Sequence, residues 1–431
     1  MENITWVSDL ESLEEGSHAS ISARVVGFRS MGNLCFGHIQ DATGRFQFCL
    51  KKNEFETAEE YKSLSKSVSN GCFISIAGRL WVSSTGEKTL LASKASVLSK
   101  PHTPIPSQFY GVSDEEASIR KRYLQTAIDS DAANTFLVRS RVLSTIRSFL
   151  TEQGFLEVET PSLTPSASGA MARPFVTHHN SLDKDFYLRI APETYLKMLT
   201  AGGFNKVFEI GKSFRNEGID RSHLQEFTSL EWYNAFADYQ DNKKLFYKMI
   251  LHIIWGTGNM SGVVRWGDWH LNFNSISTVK YRDLFLASGF DSPDNYSASE
   301  ADEIFKRSIR PNIIQPTFVE DYPAHMSPMA ARKPDDESTV EQWQLIVGGW
   351  EIVKCYTELT DPLLQRELLE QQMADRASGN EEAMMIDEAF LEAMEYGMPP
   401  QSGLGLGIDR LICILTNNTS LRDVIYFPMV R

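Results

Sequence analysis

The sequence predicts an α+β protein of two domains, a small N-terminal β-barrel followed by a larger antiparallel sheet flanked by helices. Three observations carry this reading. The 431 residues exceed what a single hydrophobic core usually organises. Residues 21–97 read as short alternating strands bounded by turn residues. The remainder mixes strands and helices without the regular βαβ rhythm of a doubly wound parallel sheet.

The N-terminal strands are ISARVVGF, LCFGHIQDATGRFQFCL and CFISIAGRLWV, followed by a hairpin at SSTGEKTLLA. Asp41–Gly44 and Ser84–Gly86 supply turn chemistry. A polar, helix-compatible stretch, ETAEEYKSLSKSV, lies between the third and fourth strands. Five short strands with one helix after the third is the order of an OB-fold barrel, expected over residues 1–100. The three prolines and absent periodicity of LSKPHTPIPSQFYGVSDEEASIRKRYL mark a linker, residues 101–118, before a domain over residues 119–431. There, Val138, Val142, Ile146, Phe149 and Leu150 form a helical stripe that Gly154 closes, and a strand, FLEVETP, ends at Pro161.

Hydrophobic residues make up 42% and charged residues 23%, ordinary for a globular chain, and no stretch reads as a membrane span. The opening MENITWVSDLESLEEG lacks the basic and apolar regions of a secretory signal, so a cytoplasmic location is expected. Five scattered cysteines without a CxxC pair read as buried thiols, not as a zinc site or disulfide frame. Residues 1–100 hold 11 Lys+Arg against 11 Asp+Glu, so the net charge of −14 belongs to the rest of the chain. Binding a nucleic acid there requires a local basic path.

Three segments carry chemistry. In KVFEIGKSFRNEGIDRSHLQEFTSLEWY two strand-like runs enclose a polar loop. Alternation puts Phe227, Ser229, Glu231 and Tyr233 on one face and Thr228, Leu230 and Trp232 on the other, as in a ligand platform or a half-solvated strand. GKS at Gly211–Ser213 lacks the upstream glycine of a phosphate loop. In GLGLGIDRLICIL the glycines at 403, 405 and 407 leave one strand face bare, Asp409 is a candidate N-cap, and Arg410 is suited to a phosphate or a base. GGWEIVKCYTELTDP sets Glu351 and Glu358 in a strand context, as metal or substrate contacts or as solvated carboxylates.

In this order, FLEVETP, FRNEG with EFTSLEWY, and GLGLGIDRL resemble the three motifs of class II aminoacyl-tRNA synthetases. YLRIAPETYLK, RPFVTHHNSLD, FRNEGIDRSH, IIQPTFVEDYPAHMSP, TELTDP and RDVIYFP are similar to the lysyl family, and the likeness covers nearly the whole chain. The resemblance implies activation of lysine with ATP and Mg²⁺ to lysyl-adenylate, then transfer to the 3′ end of tRNA(Lys), by a homodimer. It assigns Arg215 to the ATP α-phosphate and the amino-acid carboxylate, Glu217 and His223 to the ATP loop, Phe227 and Arg410 to the two faces of adenine, and Glu351 to Mg²⁺. Gly169, Glu193 and Glu231 match groups that take the α-ammonium; Tyr233 and Glu358 match those that grip the side-chain ammonium. In the barrel, Phe36, Gln47 and Glu87, with Arg29 nearby, match residues that stack on and hydrogen-bond anticodon bases.

The chain departs from the family at Gln344, where a metal-binding glutamate is usual, and at Lys354–Cys355, where an asparagine and a small residue are usual. It is also shorter between Tyr239 and Ile313, and brief before the barrel. These departures leave open a paralogue that activates another cationic amino acid, acylates a non-tRNA acceptor, or binds RNA or a protein partner without catalysis. Strict alternation would place Glu351 and Glu358 on opposite faces, so a bend near Val353 is required if both serve one site.

Overall fold

The computed structural model describes residues 2–105, 115–218 and 220–429. Residues 106–114 of the expected linker lie outside the described residues, as does Ile219 in the loop after FRNEG. By internal contacts the chain divides into two units, Met1–Leu137 with Tyr426–Arg431, and Val138–Ile425.

In the first unit, β1 (Glu2–Ile4), β2 (His18–Ser30), β3 (Leu34–Gln40), β4 (Arg45–Lys51), β5 (Phe73–Val82) and β6 (Lys88–Ser99) run in the order β1-β2-β3-β4-β6-β5. Antiparallel pairing of β2 with β5, from His18↔Arg79 to Arg24↔Phe73, closes the barrel. Alternation decides what fills it: Ile21, Val25, Ile39, Phe48, Leu50, Ile74, Ile76 and Leu90 point inward and are buried. The expected helix is α1 (Ala58–Ser67), between β4 and β5. Its N-cap Thr57 accepts from Glu60 N at 3.1 Å, a cap that contributes about 1 kcal/mol. Tyr61 plugs the barrel end, donating to Gly32 O at 2.7 Å. A strand must bend where β5 meets β6, because a Cβ on Gly78 would stand 2.0 Å from Leu91 O.

In the second unit the sheet has eight strands. In chain order these are β7 (Leu156–Glu157), β8 (Lys206–Phe214), β9 (Glu226–Ala235), β10 (Ser277–Lys280), β11 (Thr317–Glu320), β12 (Gln342–Val347), β13 (Trp350–Thr357) and β14 (Gln401–Gly407). Their spatial order is β10-β11-β12-β13-β14-β9-β8-β7. Pairing is antiparallel except at the two edges, β10–β11 and β7–β8. The helices that matter below are α2 (Ser130–Glu152), α3 (Glu193–Ala201), α4 (Tyr239–Gly256) and α5 (Ile408–Leu415).

One sheet face packs Leu230, Trp232, Leu404, Leu406, Val353, Cys355, Trp343 and Leu345 against Val142, Ile146 and Leu150 of α2 and Phe246 and Ile250 of α4. Burial of this face, recurring every second residue, fixes the register and so dictates what the other face displays. All five cysteines are free and buried, as composition suggests.

The structure corrects two local expectations. FLEVETP is strand over Leu156–Glu157 alone. Val158 N still donates to Phe208 O, but Thr160 N and Oγ1 then donate to Glu209 Oε2 at 3.2 and 2.7 Å, so a side chain replaces the ladder. Asp409 is not an N-cap, since α5 begins at Ile408 after Gly407. It is buried in the first turn, accepting from Arg139 Nη1 at 2.6 Å and Thr228 N at 2.8 Å, and so ties α5 to α2 and β9.

Candidate active site and nucleic-acid face

Register builds the open face. Phe227, Ser229, Glu231 and Tyr233 of β9 share it, as alternation predicts; Gly403 pairs with Tyr233 and with Tyr356, and Gly405 with Glu231 and with Lys354. Gln344 pairs with Lys354 and Ile346 with Glu351, and one residue is inserted between them: Leu345 faces Val353 while Ile346 faces Glu351. Ile352 is therefore the extra residue of a β-bulge, one position from the expected bend, and it returns Glu351 to the face of Lys354, Tyr356 and Glu358.

The bare glycine strand lets side chains from both neighbours converge. A Cβ on Gly403 would stand 2.3 Å from Glu358 Oε1 and 2.3 Å from the Tyr233 ring, whereas one on Gly405 would be 3.9 Å from Glu231 Cγ. Over this gap α3 lays Glu193 and Lys197, four residues apart and so on one helix face. Lys197 Nζ donates to Glu193 Oε1 at 2.7 Å and forms an ion pair with Glu358 Oε2. Tyr356 Oη donates to Glu193 Oε1 at 2.8 Å. Glu358 Oε1 is buried without a partner. Gly169, at φ +86°, closes the rim, with space for a Cβ limited by Glu193 Cβ at 3.2 Å.

The pocket thus holds three carboxylates, Glu193, Glu231 and Glu358, against the single ammonium of Lys197. Excess negative charge in a dry space raises the proton affinity of its members. Burial, then the charge of Glu193, pushes Glu231 up to about 8. Burial also lifts Glu358, against the pull of Lys197. The Tyr233 and Tyr356 phenols are held well above their ordinary range by burial and by Glu193. Burial pushes the Lys197 ammonium down, but Glu193 and Glu358 together outweigh it and raise it. A ligand bringing two positive charges would balance the cluster.

A second cluster has the opposite sign. The Arg215 guanidinium lies 5.0 Å from the Phe227 ring centroid. Arg410 Nη1 donates to the Glu351 carbonyl at 2.6 Å. Burial lowers Arg410's proton affinity, Glu351 opposes this, and Arg310 and Arg215 lower it further. Glu217 is half-buried, and exposed His223 pairs with Asp220 at 2.8 Å. Gln344 is buried and pairs with half-buried Lys354, whose Nζ lies 5.5 Å from the Tyr356 ring centroid.

On the barrel, Arg29 pairs with Phe36, Phe36 with Cys49, and Gln47 with Thr89. Phe36 is half-buried and lies outside the barrel's buried core, on the outer face. Gln47 donates to Thr89 Oγ1 at 3.1 Å, and exposed Glu87 meets His38 at 3.4 Å. A ring on an outer barrel strand beside arginine and amide groups offers a stacking surface with polar neighbours. Phe36→Ala is expected to cost about 1–3 kcal/mol in binding an anticodon stem-loop with a U-rich anticodon. Equal affinity of variant and parent, measured by fluorescence anisotropy, would return Phe36 to a packing role.

Lys197, Tyr356, Arg310 and His38 were not singled out by the sequence. A lysine four residues after a glutamate on a helix reads as a surface pair, and nothing local to Tyr356 marks its partner Glu193, which lies far away in sequence.

With this geometry in view, residues 114–431 match the family model of tRNA synthetases class II (D, K and N), and residues 19–98 that of an OB-fold nucleic acid binding domain. The chain belongs to the class II tRNA synthetases of the D, K and N group. Among its relatives is a lysine–tRNA ligase of Aquifex aeolicus, 41% identical over 96% of this chain and 73% of the relative. Lysine–tRNA ligases of Staphylococcus haemolyticus (38% identical, 98% and 90% covered) and Dehalococcoides mccartyi (41%, 95% and 87%) are similarly close.

Proposed function

We infer that this chain activates lysine with ATP to lysyl-adenylate and transfers the lysyl group to tRNA(Lys). The observation that carries this reading is the buried pocket in which Glu193, Glu231 and Glu358 converge around one ammonium, Lys197, with Glu358 Oε1 left without a partner. Free lysine supplies an α-ammonium and a side-chain ammonium. Its α-ammonium suits Glu231, Glu193 and the Gly169 rim, and its side-chain ammonium suits Glu358 Oε1 and Tyr233. A neutral side chain would leave Glu358 uncompensated, a large penalty in a dry site.

In the first step a lysine carboxylate oxygen attacks the α-phosphorus, a new P–O bond forms, and the α–β bridging bond breaks with its electron pair leaving on pyrophosphate. Arg215, fork-shaped and next to Glu231 by charge, holds both the attacking carboxylate and the α-phosphate. Phe227 and Arg410 offer the two faces between which adenine lies. Catalysis is positioning plus charge stabilisation. In the second step the terminal ribose hydroxyl of the tRNA attacks the lysyl carbonyl, and AMP leaves.

A magnesium ion fits with limits. Among the described residues no group of three His, Cys, Asp or Glu could hold a metal. Glu351 would supply its protein carboxylate and Gln344 at most a neutral oxygen, with ATP phosphates and water as the remaining ligands. When bound, the ion neutralises phosphate charge as the leaving group departs.

We assign residues 1–100 to anticodon binding, 101–118 to a linker and 119–431 to catalysis. No helix among the described residues is long and apolar enough to cross a membrane. The decisive experiment is amino-acid-dependent ATP–pyrophosphate exchange across all proteinogenic amino acids, ornithine and β-lysine. Lysine should give the largest rate; a larger rate with another amino acid overturns the assignment.

Two expectations follow. Because the free pocket must release protons to accept a dication, the KM for lysine should fall as pH rises from about 6.5 to about 8.5, with about one proton released per lysine bound near neutrality. The sign follows from Glu231: protonated below about 8, it lacks the charge that an incoming ammonium needs. Titration calorimetry in buffers of different ionisation enthalpy counts the protons, and a flat profile would contradict it. Leu156 and Leu163 around the short edge strand β7, and Phe204 just before its neighbour β8, are exposed. They support a two-fold interface there. A dimer mass is expected at micromolar concentration by light scattering; a monomer mass would remove that interface.

A further inference from the structure

The cationic cluster contains a third arginine, whose Nε is buried without a hydrogen-bond partner. Arg310 opens the short helical turn Arg310–Asn312. That turn is fixed to the hairpin between β12 and β13: Gly348 N donates to Ile314 O at 2.8 Å, Gly349 N to Ile313 O at 2.9 Å, and Ile313 N to Arg310 O at 3.1 Å. The backbones touch so closely that a Cβ on Gly349, at φ +77°, would stand 3.1 Å from Pro311 Cα. Glu351 follows two residues later and takes Arg410 on its carbonyl. Arg310 is thereby held beside the start of β13 by backbone bonds rather than by its own side chain.

Its side chain is left with work undone. Arg310 Nε is buried with no hydrogen-bond partner, and among the described residues no carboxylate or ring pairs with the guanidinium. Its charge bears on Arg410 and on buried Tyr322, the same two groups that feel Glu351. Arg215, Arg310 and Arg410 together outnumber Glu351 and the more distant, exposed Asp220. Buried donors clustered with like charges are costly unless an anion completes them. Arg215, at the end of β8, and Arg310, at the β12–β13 turn, approach from opposite sides of the β9–β14 platform.

We propose that Arg310 is a phosphate-binding residue for the β- and γ-phosphates of ATP, taking the charge that passes to pyrophosphate while Arg215 holds the α-phosphate. The proposal rests on the ATP site inferred above.

The test is direct binding, with full-length protein, of a non-hydrolysable ATP analogue and of AMP. Arg310→Met should weaken the analogue about 10–100-fold, the size of a lost charge-assisted hydrogen bond, while AMP binding stays within about twofold. Arg310→Lys should fall between parent and Met variant for the analogue. In exchange assays the KM for ATP and for pyrophosphate should rise and that for lysine hold. Equal loss of analogue and AMP would make Arg310 a structural residue, and no loss of either would remove it from the site; both overturn the proposal. Should the Met variant unfold, Arg310→Gln is read by the same ratio of analogue to AMP. A parent protein that binds the analogue but shows no lysine-dependent exchange would refute lysine activation while leaving this ratio to decide Arg310.

Discussion

Glu358→Gln is expected to remove lysine-dependent ATP–pyrophosphate exchange almost entirely, with kcat/KM for lysine falling roughly 10²–10⁴-fold, the scale of about 3–5 kcal/mol for breaking a buried charge pair. The amide has the same shape, so packing against Gly403 and Tyr233 survives. What goes is the charge: Lys197 loses one of its two carboxylates, and the incoming ammonium meets an amide whose nitrogen is itself a donor. ATP-analogue affinity should stay unchanged. An unaltered lysine KM in the variant would sink the assignment of Glu358 to the substrate side chain.

Lys197→Met should have an effect of similar size by the opposite route. Methionine suits the aromatic shell of Tyr233, Tyr356 and Phe390, whose rings lie 6.0, 5.7 and 5.6 Å from Nζ, so the fold should hold. Without the ammonium, Glu358 loses the cation that opposes its burial, and its proton affinity rises further. Lysine binding should then need a higher pH than in the parent, and the KM–pH profile should shift to the alkaline side. A merely structural lysine would lower the melting temperature and leave that profile in place, which is the outcome that would refute the role.

Much of this site could be read from the chain because it depends on period-two patterning. The face shared by Phe227, Glu231 and Tyr233 follows from apolar Leu230 and Trp232 between them, and the bare strand follows from three glycines at alternate positions. The parity conflict between Glu351 and Glu358 even announced the bulge, placed one residue too late. Other features lie beyond local pattern. Lys197 gains its meaning from Glu358, far away in sequence, and Asp409 from Arg139, so each was invisible or misread as a surface group or a cap. Arg310 sits in a turn whose position is set by hydrogen bonds to a distant hairpin. Phe36 needed the closed barrel to tell outside from inside.

The inserted Ile352 makes residue count, and not residue type, the rigid quantity along this strand. Glu351 and Glu358 are separated by an odd number of steps, and the single slipped position converts that odd interval into an even one. Substitutions at Lys354 or Cys355 leave this parity untouched, so the strand can exchange its side chains freely. Adding a residue between Val353 and Glu358 with the bulge kept would not: it would turn Glu351 into the apolar layer beneath the sheet while Glu358 kept its place. On the proposed assignment of Glu351 to ATP and Glu358 to lysine, a phase of one residue keeps the two substrates in step, and altered letters here should be tolerated far more readily than altered length.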